Sequence, residues 1–161
     1  MSAASDGTGE TSTLVDDVTD EREWVTAHVG ASGYRTNITA GLHTFVADEP
    51  RALGGTGMGP TPYELLLGAL GGCMAITLRM YADRKGWPLE TVRIQLRTER
   101  AHEKDCLDCD ESEVGIPRVA RRIQLSGPLS PEQRTRLLQI ADRCPVKQTL
   151  ARGLIVETVP D

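Results

Sequence analysis

The chain has 161 residues, 39% hydrophobic and 25% charged, the size and balance of one globular domain rather than a collagen, a coiled coil or a wholly disordered chain. Aromatic residues make up only 4%, so the core is aliphatic and a surface that stacks nucleic-acid bases is excluded. The five acidic residues among the first twenty account for the whole net charge of −5. The rest is balanced and lacks the basic footprint that nucleic acid or an anionic membrane requires.

Residues 1–20, rich in Ser, Thr, Asp and Gly, bury too little apolar surface to order themselves and predict an acidic disordered tail. Residues 21–161 are expected to form a single domain. No apolar run reaches the roughly 18–20 residues that cross a bilayer, the longest, Leu65 to Leu70, being interrupted by Gly68. The segment Met1 to Asp6 lacks the features of a signal peptide. The expectation is a cytoplasmic protein without membrane or nucleic-acid partners.

From Trp24 to Val46 the pattern is strand-like, with turns at Gly30–Gly33 and Ala40-Gly41; Val25, Ala27 and Val29 predict one buried face. Residues 48–62 carry Pro50, Pro60, Pro62 and four glycines and read as a loop with freedom to move. Thr61 suits an N-cap, Pro62 the first helical position and Gly86 the stop of a long helix. Its first half is apolar nearly all round, which predicts burial on most sides and, because a small sheet cannot cover so much, a homodimer. Gly68, Gly71 and Gly72 lie just before Cys73. They mark either the close approach of a backbone or substrate, or tight helix packing.

Val92, Ile94 and Leu96 alternate with Arg93, Gln95 and Arg97 and predict a half-exposed strand. An acidic loop (101–117), a strand (Val119 to Leu125), a helix opened by Ser130-Pro131-Glu132 and a short helix opened by Cys144-Pro145 follow. Leu154-Ile155-Val156 predicts a final buried strand. The order gives an α+β domain whose antiparallel sheet covers its helices.

Four cysteines in a cytoplasmic chain point to metal or thiol chemistry rather than structural disulfides. Cys144 stands at a helix N-terminus beside Arg143, with Lys147 three residues on, a setting that favours thiolate. Cys73, within an apolar helix, reads by itself as a small core residue. Cys106 and Cys109 lie among acids that oppose thiolates. With His102 they could contribute to a cation site, but one Cys-x-x-Cys pair falls short of a structural zinc site, and the segment reads as a solvated loop. No cofactor or metal is expected.

Gly59-Pro60-Thr61-Pro62-Tyr63-Glu64-Leu65-Leu66-Leu67 through Gly71-Gly72-Cys73 resembles the central helix of the OsmC/Ohr family, in its OsmC-like branch. Arg143-Cys144-Pro145-Val146-Lys147 resembles that family's second-cysteine motif, and the resemblance runs from about residue 24 to 159. It implies an antiparallel sheet wrapped around a buried central helix in an intertwined homodimer. It also implies a thiol peroxidase acting on organic hydroperoxides, with Cys73 peroxidatic, Cys144 resolving and a dithiol such as a dihydrolipoyl protein as reductant. The family's catalytic glutamate directly follows the helix-initiating proline, where this chain has Tyr63 with Glu64 next; Glu64 is the candidate here. Arg35 and Arg51 are the candidates for its catalytic arginine. The alternative is a non-peroxidase OsmC-like module that binds an apolar ligand or a partner in the dimer cleft.

Overall fold

The computed structural model describes residues 24–99 and 118–159. The predicted tail, His102, Cys106 and Cys109 lie outside the described residues. The chain divides into two compact units, one within Met1–Leu65 and one within Leu66–Asp161.

In the first unit, β1 (Val25–Val29), β2 (Thr36–Ala40) and β3 (His43–Ala47) form an antiparallel sheet in that order. Gly41, with φ of 57°, opens the two-residue turn between β2 and β3, where a positive φ matches the strands' twist. The face predicted to be buried on β1 is open in the single chain. Val25 is 66% and Val29 51% exposed, because β1 is an edge strand whose only described ladder partner is β2.

The segment after β3 is not a slack loop. Asp48, 2% exposed, accepts hydrogen bonds from the backbone N–H of Glu49 (2.8 Å), Thr56 (3.1 Å) and Met58 (3.1 Å) and from the Thr56 hydroxyl. One carboxylate thus takes the place of a ladder for backbone that belongs to no sheet. A short 3₁₀ turn at Arg51–Leu53 completes the loop. Gly55 is obligatory within it, since a Cβ there would stand 1.9 Å from the carbonyl oxygen of Glu49.

The helix α1 spans Pro62–Lys85. Thr61 and Glu64 cap it reciprocally: the Thr61 N–H donates to the Glu64 carboxylate (2.8 Å) and the Glu64 N–H to the Thr61 hydroxyl (3.2 Å), a capping box. One sequence expectation is qualified on this helix and one fails. Its most apolar 18-residue window has mean hydropathy 1.5, so by length and composition alone it is long and apolar enough to cross a membrane, a test that a soluble protein's core helix also meets. The helix is not buried on most sides. Only Leu70, Met74, Leu78 and Ala82 are buried, one stripe at the helical period, while Ile76 is 62% and Met80 66% exposed.

In the second unit, β4 (Thr91–Glu99) pairs antiparallel with β5 (Arg118–Ser126), and Val92, Ile94, Ile123 and Leu125 pack on the core with Leu78 and Ala82 of α1. The helix α2 (Pro131–Ala141) adds Leu137, Ile140 and Ala141 and opens with a Ser130–Gln133 capping box. Arg79 of α1 donates to the carbonyls of Leu89 (2.6 Å) and Glu90 (2.8 Å), fixing the entry to β4. After α3 (Pro145–Arg152) the predicted final strand is absent: Leu154 is 68% and Ile155 and Val156 are each 90% exposed, outside any strand. Those residues favour an extended state, but no described strand pairs with them, and an unpaired apolar segment has nothing to bury against.

The Asp48 bonds set a dependence on acid. Its carboxyl is lowered to about 2 by the Thr56 hydroxyl first, with help from the three N–H groups. A group lowered in the folded state adds stability above its unfolded value, near 4; that contribution is lost as pH falls toward 2. Asp48→Asn should therefore lower Tm by several degrees at pH 7 and flatten the wild-type decline in Tm between pH 4 and 2. Thermal melts followed by circular dichroism check both.

Candidate active site

Cys73 and Cys144, separated widely in sequence, meet in the second unit. Leu70 and Met74 of α1 form a buried cluster with Cys144, against which Cys73, Leu96 and Val146 pack. Both cysteines are thiols rather than a disulfide; Cys73 is half-buried and Cys144 is buried. Two local features bring them together. Cys73 lies one residue before Met74, at the border of the buried stripe of α1. Cys144 ends the turn after α2 and is the N-cap of α3, with Pro145 at the first helical position.

Their electrostatics differ in sign. Burial pushes the Cys73 thiol up, but the Cys144 thiol, the Val146 N–H and the Thr77 hydroxyl together outweigh it and leave Cys73 below the ordinary cysteine range. Thr77 divides one proton between this sulfur and the Cys73 carbonyl oxygen, 2.8 Å away. Burial also pushes Cys144 up, and here it prevails: neighbouring Cys73 raises it further, against weaker opposition from the Lys147 and Val146 N–H groups. The Cys144 sulfur makes no geometrically complete capping bond. The helix terminus thus favours an anion, as the sequence suggests, but the anion it favours is Cys73 rather than Cys144.

Glu64 is placed by its cap. The Thr61 N–H and hydroxyl hold its carboxyl below the usual range. Arg51 donates from Nε to the Thr56 carbonyl at 3.4 Å, and Arg35 is exposed. The glycines before Cys73 divide. A Cβ on Gly71 would meet Leu96 at 3.2 Å, whereas Gly68 and Gly72 face open space. They border an apolar groove of about 380 Å³ lined also by Leu67, Ala75 and Ile94. Gly68 and Gly72 are therefore open surface, while Gly71 packs closely on Leu96.

Arg121 is a site residue that sequence reading missed. It occupies the apolar face of β5, between Val119 and Ile123 and paired with Leu96. With Leu70, Met74, Leu96 and Lys147 it lines a cavity of about 260 Å³. The signal was a charged residue in the apolar register of a strand.

An α+β unit with a cysteine on its long helix and a second that opens a Cys-Pro-Val motif defines the class, and the chain belongs to the OsmC-like family: the family model described as OsmC-like protein matches residues 55–159. An OsmC-like protein from Mycoplasma pneumoniae is similar in structure (TM-score 0.64, 17% identity, covering 79% of this chain and 85% of the other). So are an organic hydroperoxide resistance protein OsmC from Legionella pneumophila (0.57, 24%, 81% and 88%) and OhrB of Bacillus subtilis (0.51, 23%, 81% and 90%). At these identities the likeness shows the fold. No curated protein matches the sequence.

The opposed polarisation is measurable. Iodoacetamide labelling against pH, read by peptide mass, should titrate Cys73 below free cysteine and Cys144 above it. Thr77→Val, which deletes one of three donors, should raise the Cys73 midpoint.

Proposed function

We propose that the protein is a thiol-dependent peroxidase that reduces organic hydroperoxides through Cys73 and Cys144. The observation that carries this reading is the unequal pair: a sulfur held toward thiolate, in contact with a buried thiol. The thiolate of Cys73 attacks the outer peroxide oxygen. The O–O bond breaks, the outer oxygen stays on sulfur with its hydrogen as a sulfenic acid, and the alkoxide leaves and takes from solvent the proton that the Cys73 thiol had released, departing as the alcohol. The Cys144 sulfur then attacks the Cys73 sulfur; hydroxide leaves, takes the thiol proton and departs as water, and a 73–144 disulfide remains. A dithiol reductant, for which a dihydrolipoyl group is the candidate, returns two electrons and two protons.

Leu70, Met74 and Leu96 give the neighbouring cavity an apolar wall that suits alkyl groups better than hydrogen peroxide. Glu64 contributes by fixing the first turn of the helix that carries Cys73. The relatives named for organic hydroperoxide resistance support the same substrate class. Free thiols as the resting state suit a reducing cytoplasm.

The reading includes a homodimer. Each fully exposed Ile or Met forgoes roughly 1.5–3 kcal/mol of burial, and Ile76, Met80, Ile155 and Val156 are all open. A second copy of the chain is the occupant assigned to them on this reading. Light scattering at micromolar concentration should give twice 17.5 kDa; a native 17.5 kDa species would count against it.

The open apolar groove along Gly68 and Gly72 favours a second reading, a module that binds an apolar ligand without turnover. Cumene hydroperoxide separates the two. Cys73→Ser should abolish turnover. Cys144→Ser should permit one oxidation and trap a sulfenic acid at Cys73 that drifts to sulfinic acid. If wild-type Cys73 reacts no faster than free cysteine, the ligand-binding module is the better account.

A further inference from the structure

The turn between α2 and α3 is weakly tied by its own backbone. The Arg143 N–H reaches the Ile140 carbonyl at 2.9 Å, but the Cys144 N–H reaches that of Ala141 only at 3.4 Å. Its other tether is a side chain. One oxygen of Asp142, Oδ1, accepts from Lys147 Nζ at 2.6 Å and from Arg121 Nη2 at 2.7 Å. Asp142 and Lys147 stand on either side of Cys144 in sequence, so this pair closes the turn around it. Arg121 fastens the closed turn to β5.

Surface stability does not explain this arrangement. Asp142 and Lys147 are 46% and 41% exposed, and exposed pairs contribute only about 0–1 kcal/mol. Meanwhile Arg121 stands on an apolar strand face with its Nη1 buried and unpartnered, a destabilising placement. What the clamp does fix is direction. The residue gripped at Nζ is the one whose N–H faces the Cys144 sulfur, and its neighbour Val146 supplies the N–H that faces Cys73.

We propose that Asp142 is a positioning residue: by gripping Lys147 and Arg121 through one oxygen, it holds the first turn of α3 in register with Cys73 and Cys144. The inference rests on reading the two cysteines as a reacting pair. Its test uses no hydroperoxide, so it stands or falls separately from the peroxidase assignment.

The charged groups around the turn are Arg121 from β5, Asp142 and Arg143 before Cys144, and Lys147 after it; α1 presents Cys73 and Thr77. Removing the Asp142 charge leaves the cations uncompensated. If Asp142 acted only as a charge, its loss would make Cys73 more acidic and faster to react. Loss of positioning works in the opposite direction.

The experiment treats the reduced full-length protein with diamide, whose N=N bond takes two electrons and two protons from the thiols as the 73–144 disulfide forms. Asp142→Ala should slow disulfide formation about tenfold and shift the Cys73 alkylation midpoint upward, with Tm within a few degrees of wild type. Asp142→Asn keeps an oxygen acceptor and should lie between, about threefold slower. Should Asp142→Ala fail to fold, Asp142→Asn carries the test with the same sign. A disulfide rate equal to or above wild type in either folded variant overturns the proposal.

Discussion

The first N–H groups of any α-helix have no partner within it, and in α3 those of Val146 and Lys147 face sulfur rather than water. Much of the second unit serves that meeting. Pro145 gives up an N–H that would have been unpaired anyway and presets the backbone for the first turn. Leu70 and Met74 exclude solvent around the sulfurs, which strengthens every dipole aimed at them. The same exclusion makes charge expensive, so donors can support one anion but not two. Cys73, half-buried and with three donors, is the sulfur held toward thiolate; Cys144, wholly buried, is held toward the thiol and is one of those donors.

This division explains why a cysteine placed at a helix N-terminus does not become the thiolate. Helix-end stabilisation of an exposed anion is typically below about 1 kcal/mol, while complete burial can raise a pKa by several units. Position in the helix and position in the core are separate quantities, and here the second is larger. The N-terminal dipole still acts, but across space, on the sulfur that α1 presents.

The parts of the fold set by neighbours in sequence were legible from it. Thr61-Pro62 and then Gly86 bound α1 correctly, Ser130-Pro131 opens α2, and the alternation of Val92, Ile94 and Leu96 gives β4 its inner face. What escaped was set by contacts between distant residues. Asp48 organises its loop by accepting from Thr56 and Met58, and an acid two residues before a proline does not announce such a role. Arg121 carried a signal, a charge in the apolar register of β5, but its partner Asp142 lies beyond the intervening helix α2. Val25 and Ile155 read as buried because composition records that a residue needs covering and not what covers it. The meeting of Cys73 with Cys144 followed from family resemblance, since nothing local distinguishes Cys73 from a core residue.

On the proposed cycle, the unequal pair also sets the order of events. A protonated, buried Cys144 is a poor competitor for oxidant, so the peroxide meets one nucleophile and not two. Two of the influences that hold Cys144 high come from Cys73 itself, its hydrogen bond and its negative charge. Oxidation of Cys73 to a neutral sulfenic acid removes the charge and weakens the hydrogen bond. The Lys147 and Val146 N–H groups, outweighed while Cys73 is charged, then act chiefly against burial, and Cys144 becomes easier to ionise at the step that needs it as a nucleophile. On this cycle the first oxidation prepares the second sulfur through the residues already packed around the pair.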